Sequence, residues 1–185
     1  MKKYIVPIIL SATVLSTNSC KKIDAGETND EELITTVQLN FTPVSGGPTQ
    51  SFKFEDIDGP GGNAPVVDGI MLVANTTYNV SIELRNDSAN PPEDITAEVE
   101  EENEAHRFYY TPSAGNITVS NLNNDNNDVP LGITSQWATG AASGGTVAVV
   151  LRHYPGTPPD KQISDPVTSP KSSTDVDVTF GYTIL

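Results

Sequence analysis

Glu98, Glu102 and His106 stand four residues apart at the end of an acidic run that also holds Glu100, Glu101 and Glu104. If the run stays helical to its end, the three side chains stack on one face. Carboxylate and imidazole together are suitable ligands for zinc or iron. His153 shares parity with Val149 and Leu151 at the end of an alternating segment, where it would supply a second imidazole. The competing reading makes the glutamates a solvated face and leaves each histidine capping a strand end.

Two other segments offer hard oxygens at close spacing. Asn123, Asp125 and Asn127 alternate, with Asp128 beside them, and Asp56 and Asp58 precede Gly59. Calcium takes oxygen donors of this kind, so it is the second metal expected. Neither segment is an EF-hand loop, since the first lacks the central Gly and the bidentate Glu. The alternative is Asx-turn chemistry in hairpin loops.

Catalysis finds little support. The chain has no Gly-x-Ser-x-Gly elbow, no phosphate loop and no His-Glu-x-x-His helix, and the expectation is a protein that is not an enzyme. Its 185 residues carry 24 acids against 10 bases, a formal net charge of -14. That balance excludes an ordinary nucleic-acid binder, which needs clustered Lys and Arg, and it favours cationic ligands.

The first residues form an address. Lys2 and Lys3 precede the mostly apolar stretch Tyr4 to Leu15, which is shorter than the ~20 residues a spanning helix needs. Small polar residues follow, and then Cys20, the one Cys of the chain. The reading is a lipoprotein signal peptide over 1–19 and lipidation at Cys20, giving the membrane anchorage that more than one acyl chain secures. A plain secretory signal is the alternative. Residues 20–32, with Asp24, Glu27, Asp30, Glu31 and Glu32, read as a polar tether. Lys21 and Lys22 break the acidic pattern there, so periplasmic and surface-exposed orientations both stay open.

The elements that must position these residues are strands. Val37, Leu39 and Phe41 alternate with polar neighbours. So do Phe52 and Phe54, then Tyr78, Val80, Ile82 and Leu84, then Ile117 and Val119, and then Val147, Val149 and Leu151. The series ends with Val176, Val178, Phe180, Tyr182 and Ile184. Period two marks strands buried on one face, and further strands fit His106–Thr111 and Leu131–Trp137. Gly- and Pro-rich turns separate them. The expected fold is all-β, an immunoglobulin-like antiparallel β-sandwich of about seven to eight strands over residues 33–185, with one short acidic helix near Ile95 and Val99. Leu72, six residues before Tyr78, resembles a tyrosine corner, in which the Tyr hydroxyl bonds to upstream backbone. Phe108, Tyr109 and Tyr110 must alternate between faces, and an exposed ring among them would serve protein contact.

Several segments occur together in order: the signal ending at Cys20, Phe54 to Pro65, Asn75 to Tyr78, and the acidic run into His106 to Tyr110. Val129 to Gly132, Leu151 to His153, and Thr174 to Phe180 follow. This set resembles a family of small Bacteroidota lipoproteins often labelled type 1 periplasmic binding fold superfamily proteins. The resemblance implies an outer-membrane lipoprotein associated with TonB-dependent uptake and an outer-membrane receptor as partner. The functional expectation is therefore a lipid-anchored cell-envelope binding or accessory module. A structural or adhesive surface lipoprotein and a metal-binding lipoprotein (calcium, or zinc or iron) are the alternatives.

Overall fold

A computed structural model describes residues 33–59, 61–113 and 115–185. The expected signal peptide of 1–19, Cys20 and the expected tether of 20–32 lie outside the described residues.

Alternating burial builds two sheets. The first carries β1 (Thr36–Pro43), β2 (Gln50–Glu55), β3 (Val66–Val67), β5 (Thr77–Asn86), β6 (Glu93–Asp94), β8 (Ile117–Ser120) and β9 (Thr134–Thr139). Its strand order is β3-β2-β1-β5-β9-β8, with β6 pairing β5. The second carries β4 (Ile70–Leu72), β7 (His106–Pro112), β10 (Ser143–His153) and β11 (Ser173–Ile184), in the order β4-β11-β10-β7. All pairings are antiparallel except β4 with β11, which is parallel. The fold is thus an all-β sandwich, as the alternation predicts. The strand count exceeds the expected seven to eight because β3, β4 and β6 are pairings of two or three residues, too short to show a period.

The inner faces meet in one core. Val37, Leu39, Phe41, Val80, Ile82, Leu84 and Trp137 come from the first sheet. Phe108, Val147, Val149, Leu151, Val176, Val178, Phe180, Tyr182 and Ile184 come from the second. Trp137 packs edge-on against Phe41 at 5.3 Å and against Tyr110 at 5.4 Å between ring centroids, so it joins both layers. Its indole N–H donates to Ser135 Oγ at 2.9 Å, which satisfies the polar atom that burial would otherwise strand. Leu72 is buried, and the Tyr78 hydroxyl accepts a hydrogen bond from Val73 N–H at 2.9 Å.

The helix, α1 (Ile95–Glu101), covers a gap in β5. β9 pairs with Thr77 to Ser81 and β6 with Arg85 and Asn86, so β5 has an open stretch of edge between them at Leu84. Thr96 closes it: its Oγ1 accepts from Leu84 N–H at 2.8 Å and donates to Leu84 O at 3.2 Å. Asp94 caps the helix by accepting from Thr96 N–H, and Ile95 and Val99 face the core.

Candidate metal centre

α1 ends sooner than a continuous Glu98–Glu102–His106 face requires. Glu102 is its C-cap, a turn spans Glu102 to Ala105, and His106 opens β7. The physical reason lies in charge. The last turn holds no base, so glutamates crowd the negative end of the helix dipole and repel one another at helical spacing. Asn103 Nδ2 then donates to the Glu100 carbonyl and helps end the helix. Glu98 stays exposed on the helix, apart from the cluster, which corrects its expected place among the ligands.

The turn nevertheless gathers three of the four expected groups. One donor atom from each of Glu102, His106 and His153 lies within 4.8 Å of the others. His106 pairs with His153 across β7 and β10, so both rings point to the inner face at the end of the second sheet. They stack with centroids 4.7 Å apart. Both are buried, while Glu102 faces solvent.

His106 Nδ1 lies 3.2 Å from the Glu102 carbonyl. A carbonyl only accepts, so this contact places the proton on Nδ1 and makes Nε2 the unprotonated nitrogen. Metal-bound histidines are commonly oriented by such a bond from the second ring nitrogen. His106 Nε2 is 3.8 Å from Asp175 Oδ2, and both side chains are fully buried. His153 Nδ1 is buried without a hydrogen-bond partner.

Burial holds both imidazoles neutral. The His106 value falls to about 4, first through desolvation and then through His153 and Lys161, against the Glu102 carbonyl. His153 is lowered by desolvation, with the Glu102 charge opposing. A metal requires the neutral imidazole, so no proton need be displaced from these ligands near neutral pH.

Asp175 is a residue that the alternation hides. Period two groups it with Asp177 on the wet face. In the register, Arg152 pairs with Thr174 and Leu151 with Val176, which leaves Asp175 as an extra residue in a β-bulge. A bulge re-aims a side chain, and this one turns inward toward His106.

The calcium segments are used otherwise. Asp125 Oδ1 accepts from the N–H groups of Asn127 and Val129 at 2.8 and 2.9 Å. Its Oδ2 lies 2.7 Å from Lys161 Nζ. Asn123 Oδ1 accepts from Thr134 N–H, and Asn127 and Asp128 are exposed. An ammonium therefore stands against the Asp125 carboxylate where calcium was expected. Asp58 accepts from the backbone N–H and the amide of Asn63, which hold its carboxyl below the usual range. It shapes a loop, and Asp56 donates its backbone N–H to Thr35 O at the loop's start.

Lys161 was hidden in a proline-rich stretch. Its Nζ also donates to the carbonyls of Asn103 and His106 at 2.6 and 2.7 Å, bracing the turn that carries the cluster. The segment 154–172 covers the outer face of the second sheet. Arg107 donates to the carbonyls of Gln162 and Ile163, and the Tyr109 hydroxyl donates to Asp165 O at 2.9 Å. Phe108 is buried, and Tyr110 packs against the core. The three consecutive aromatics therefore present no open aromatic patch. No helix among the described residues is long and apolar enough to cross a membrane.

Comparison with known protein families, with characterised proteins and with solved structures finds no match to this chain.

Proposed function

We propose that this protein is a lipid-anchored, non-catalytic module of the cell envelope that holds a divalent transition-metal ion through Glu102, His106 and His153. The observation that carries the reading is the His153 imidazole. It is only 7% exposed, and its Nδ1 has no hydrogen-bond partner beside a second neutral imidazole and a carboxylate. A buried nitrogen lone pair left without a donor costs free energy, and a metal ion satisfies it. The mixed nitrogen and oxygen set suits zinc or iron better than calcium.

The envelope part rests on the signal ending at Cys20, and service to a TonB-dependent receptor rests on resemblance. The immunoglobulin-like form of the sandwich is supported by the Val73–Tyr78 hydrogen bond beside Leu72. The high acidity keeps the domain soluble and concentrates cations near it.

Titration calorimetry of the purified protein with zinc tests the site. Cys20→Ser removes the thiol as a rival ligand. One ion per chain is expected, with Glu102→Gln and His153→Gln each weakening binding about tenfold or more. No heat of binding in the parent protein would remove the proposal.

A further inference from the structure

We infer that the outer face of the first sheet binds a neutral oligosaccharide through the amides and hydroxyls of β1, β5 and β9. The site shares no residue with the Glu102, His106 and His153 cluster and does not rest on it.

Register sets the site. Thr42, Asn79 and Gln136 form one row across β1, β5 and β9, and Asn40, Ser81 and Thr134 form the next. Their neighbours Leu39, Phe41, Tyr78, Val80, Ser135 and Trp137 are buried, so alternation turns both rows outward. Three strands at ~4.8 Å spacing make a platform ~10 Å wide. With Asn121, the two rows line a shallow groove of about 370 Å³. The 154–172 segment covers the outer face of the second sheet, whereas Asn79, Asn121 and Thr134 here are exposed.

Charge selects the ligand class. The chain carries 24 acids and 10 bases, yet among the described residues no charged side chain lines this groove. A wet strand face needs only polarity, which Glu and Lys would supply as well as amides do. An ion-free wall offers a charged ligand no partner, and a formal net charge of -14 repels anions. The ligand that fits is uncharged and polar. It is not an added strand, because β5 is hydrogen-bonded on both sides along these rows and opens no main-chain edge.

Hydrogen bonding narrows the class to a sugar. Asn121 Nδ2 donates to Gln136 Oε1 at 2.7 Å, and Gln136 Nε2 donates to Asn79 Oδ1 at 3.0 Å. This relay fixes two amide planes before a ligand arrives, and it leaves hydrogens on Asn79 Nδ2 and Gln136 Nε2 to donate outward. The hydroxyls of Ser81 and Thr134 beside them both donate and accept. A sugar presents hydroxyls of the same dual kind at close spacing, so it can answer each group on the platform. No aromatic ring lines the groove among the described residues. Affinity therefore comes from hydrogen bonds without stacking and should fall in the millimolar range.

Amide NMR of the Cys20→Ser protein tests the inference, with chelator in every sample so that the metal cluster plays no part. The probes are maltohexaose, cellohexaose, xylohexaose and laminarihexaose, each added to millimolar excess. At least one should move the side-chain amide signals of Asn79 and Gln136 to saturation, with the backbone amides of Val147 and Val149 unmoved. The double variant Asn79→Ala/Gln136→Ala, altered only on the surface, should bind that sugar about tenfold more weakly. Trigalacturonate, an anionic sugar, should bind more weakly than the best neutral one. No saturable shift with any of the four, shifts confined to another surface, or undiminished binding in the double variant would each overturn the site. Equal binding of trigalacturonate would overturn the selection for neutral sugars.

Discussion

The ammonium of Lys161 lies 2.7 Å from the carboxylate of Asp125, and both side chains are almost completely withdrawn from solvent. Burial would raise the Asp125 carboxyl, but Lys161 and the N–H groups of Val129 and Asn127 outweigh it and hold it below the usual range. Lys161 also reaches two carbonyls of the α1–β7 turn, so one cation links three loops at the end of the sandwich that carries the histidines.

Removing that cation alone strands a buried carboxylate. Lys161→Met should destabilise the fold by about 3–5 kcal/mol, read as a lower urea midpoint at unchanged slope. Adding Asp125→Asn keeps the acceptor for Asn127 and Val129 but removes the charge. The double variant should therefore recover part of the loss. A double variant no better than Lys161→Met would contradict the pairing.

Acid should weaken the metal-free protein through His106. An unfolded histidine takes up its proton near pH 6.5, whereas His106 in the fold stays neutral until about pH 4. Between these values the unfolded chain binds more protons, so stability falls as pH falls, and this contribution is fully present above pH 6.5. The loss across the window is on the order of 3 kcal/mol. Urea unfolding with chelator present, at pH 7 and pH 4, measures it. His106→Gln, which can still donate to the Glu102 carbonyl, should show a smaller loss over that window. His153, Glu102, Asp175 and Lys161 stay in place in both proteins, so the difference isolates the ring. An equal loss in the two would refute the assignment.

Thr96 should matter more than a helix surface residue does. Thr96→Val keeps the shape and removes both bonds to Leu84, leaving the Leu84 amide at a strand edge without its acceptor. The expected cost is about 1–3 kcal/mol. Hydrogen exchange should speed up at the Leu84 amide, with the amides at Leu39 and Phe41 little changed. Unaltered exchange at Leu84 would show that the helix does not seal the strand.

The sandwich was legible because alternation is a local property. From Tyr78 to Leu84 and from Val176 to Ile184, every second residue is apolar, and those residues form the core. β3 and β6 left no such trace, since two residues hold no period. The pairing of His106 with His153 is half legible: types and parity suggest a site, but helical spacing carried to the end of the acidic run overshoots α1 by about a turn and brings in Glu98. Asp175 could not be found from spacing, because a bulge shifts a side chain without disturbing the apolar pattern. Lys161 is one lysine in a loop, and only the fold shows that its ammonium fills the place assigned to calcium beside Asp125.

The parallel contact of β4 with β11 sets an order of events. Ile70, Met71 and Leu72 have their second-sheet partners at Tyr182, Thr183 and Ile184, and β11 also flanks β10 along its length. Until residues 173–184 have emerged, half of the interior has no wall on one side. A nascent chain shorter than that lacks the strand that β4 and β10 both pair with, and a cut before Ser173 should leave an aggregating fragment instead of a smaller domain.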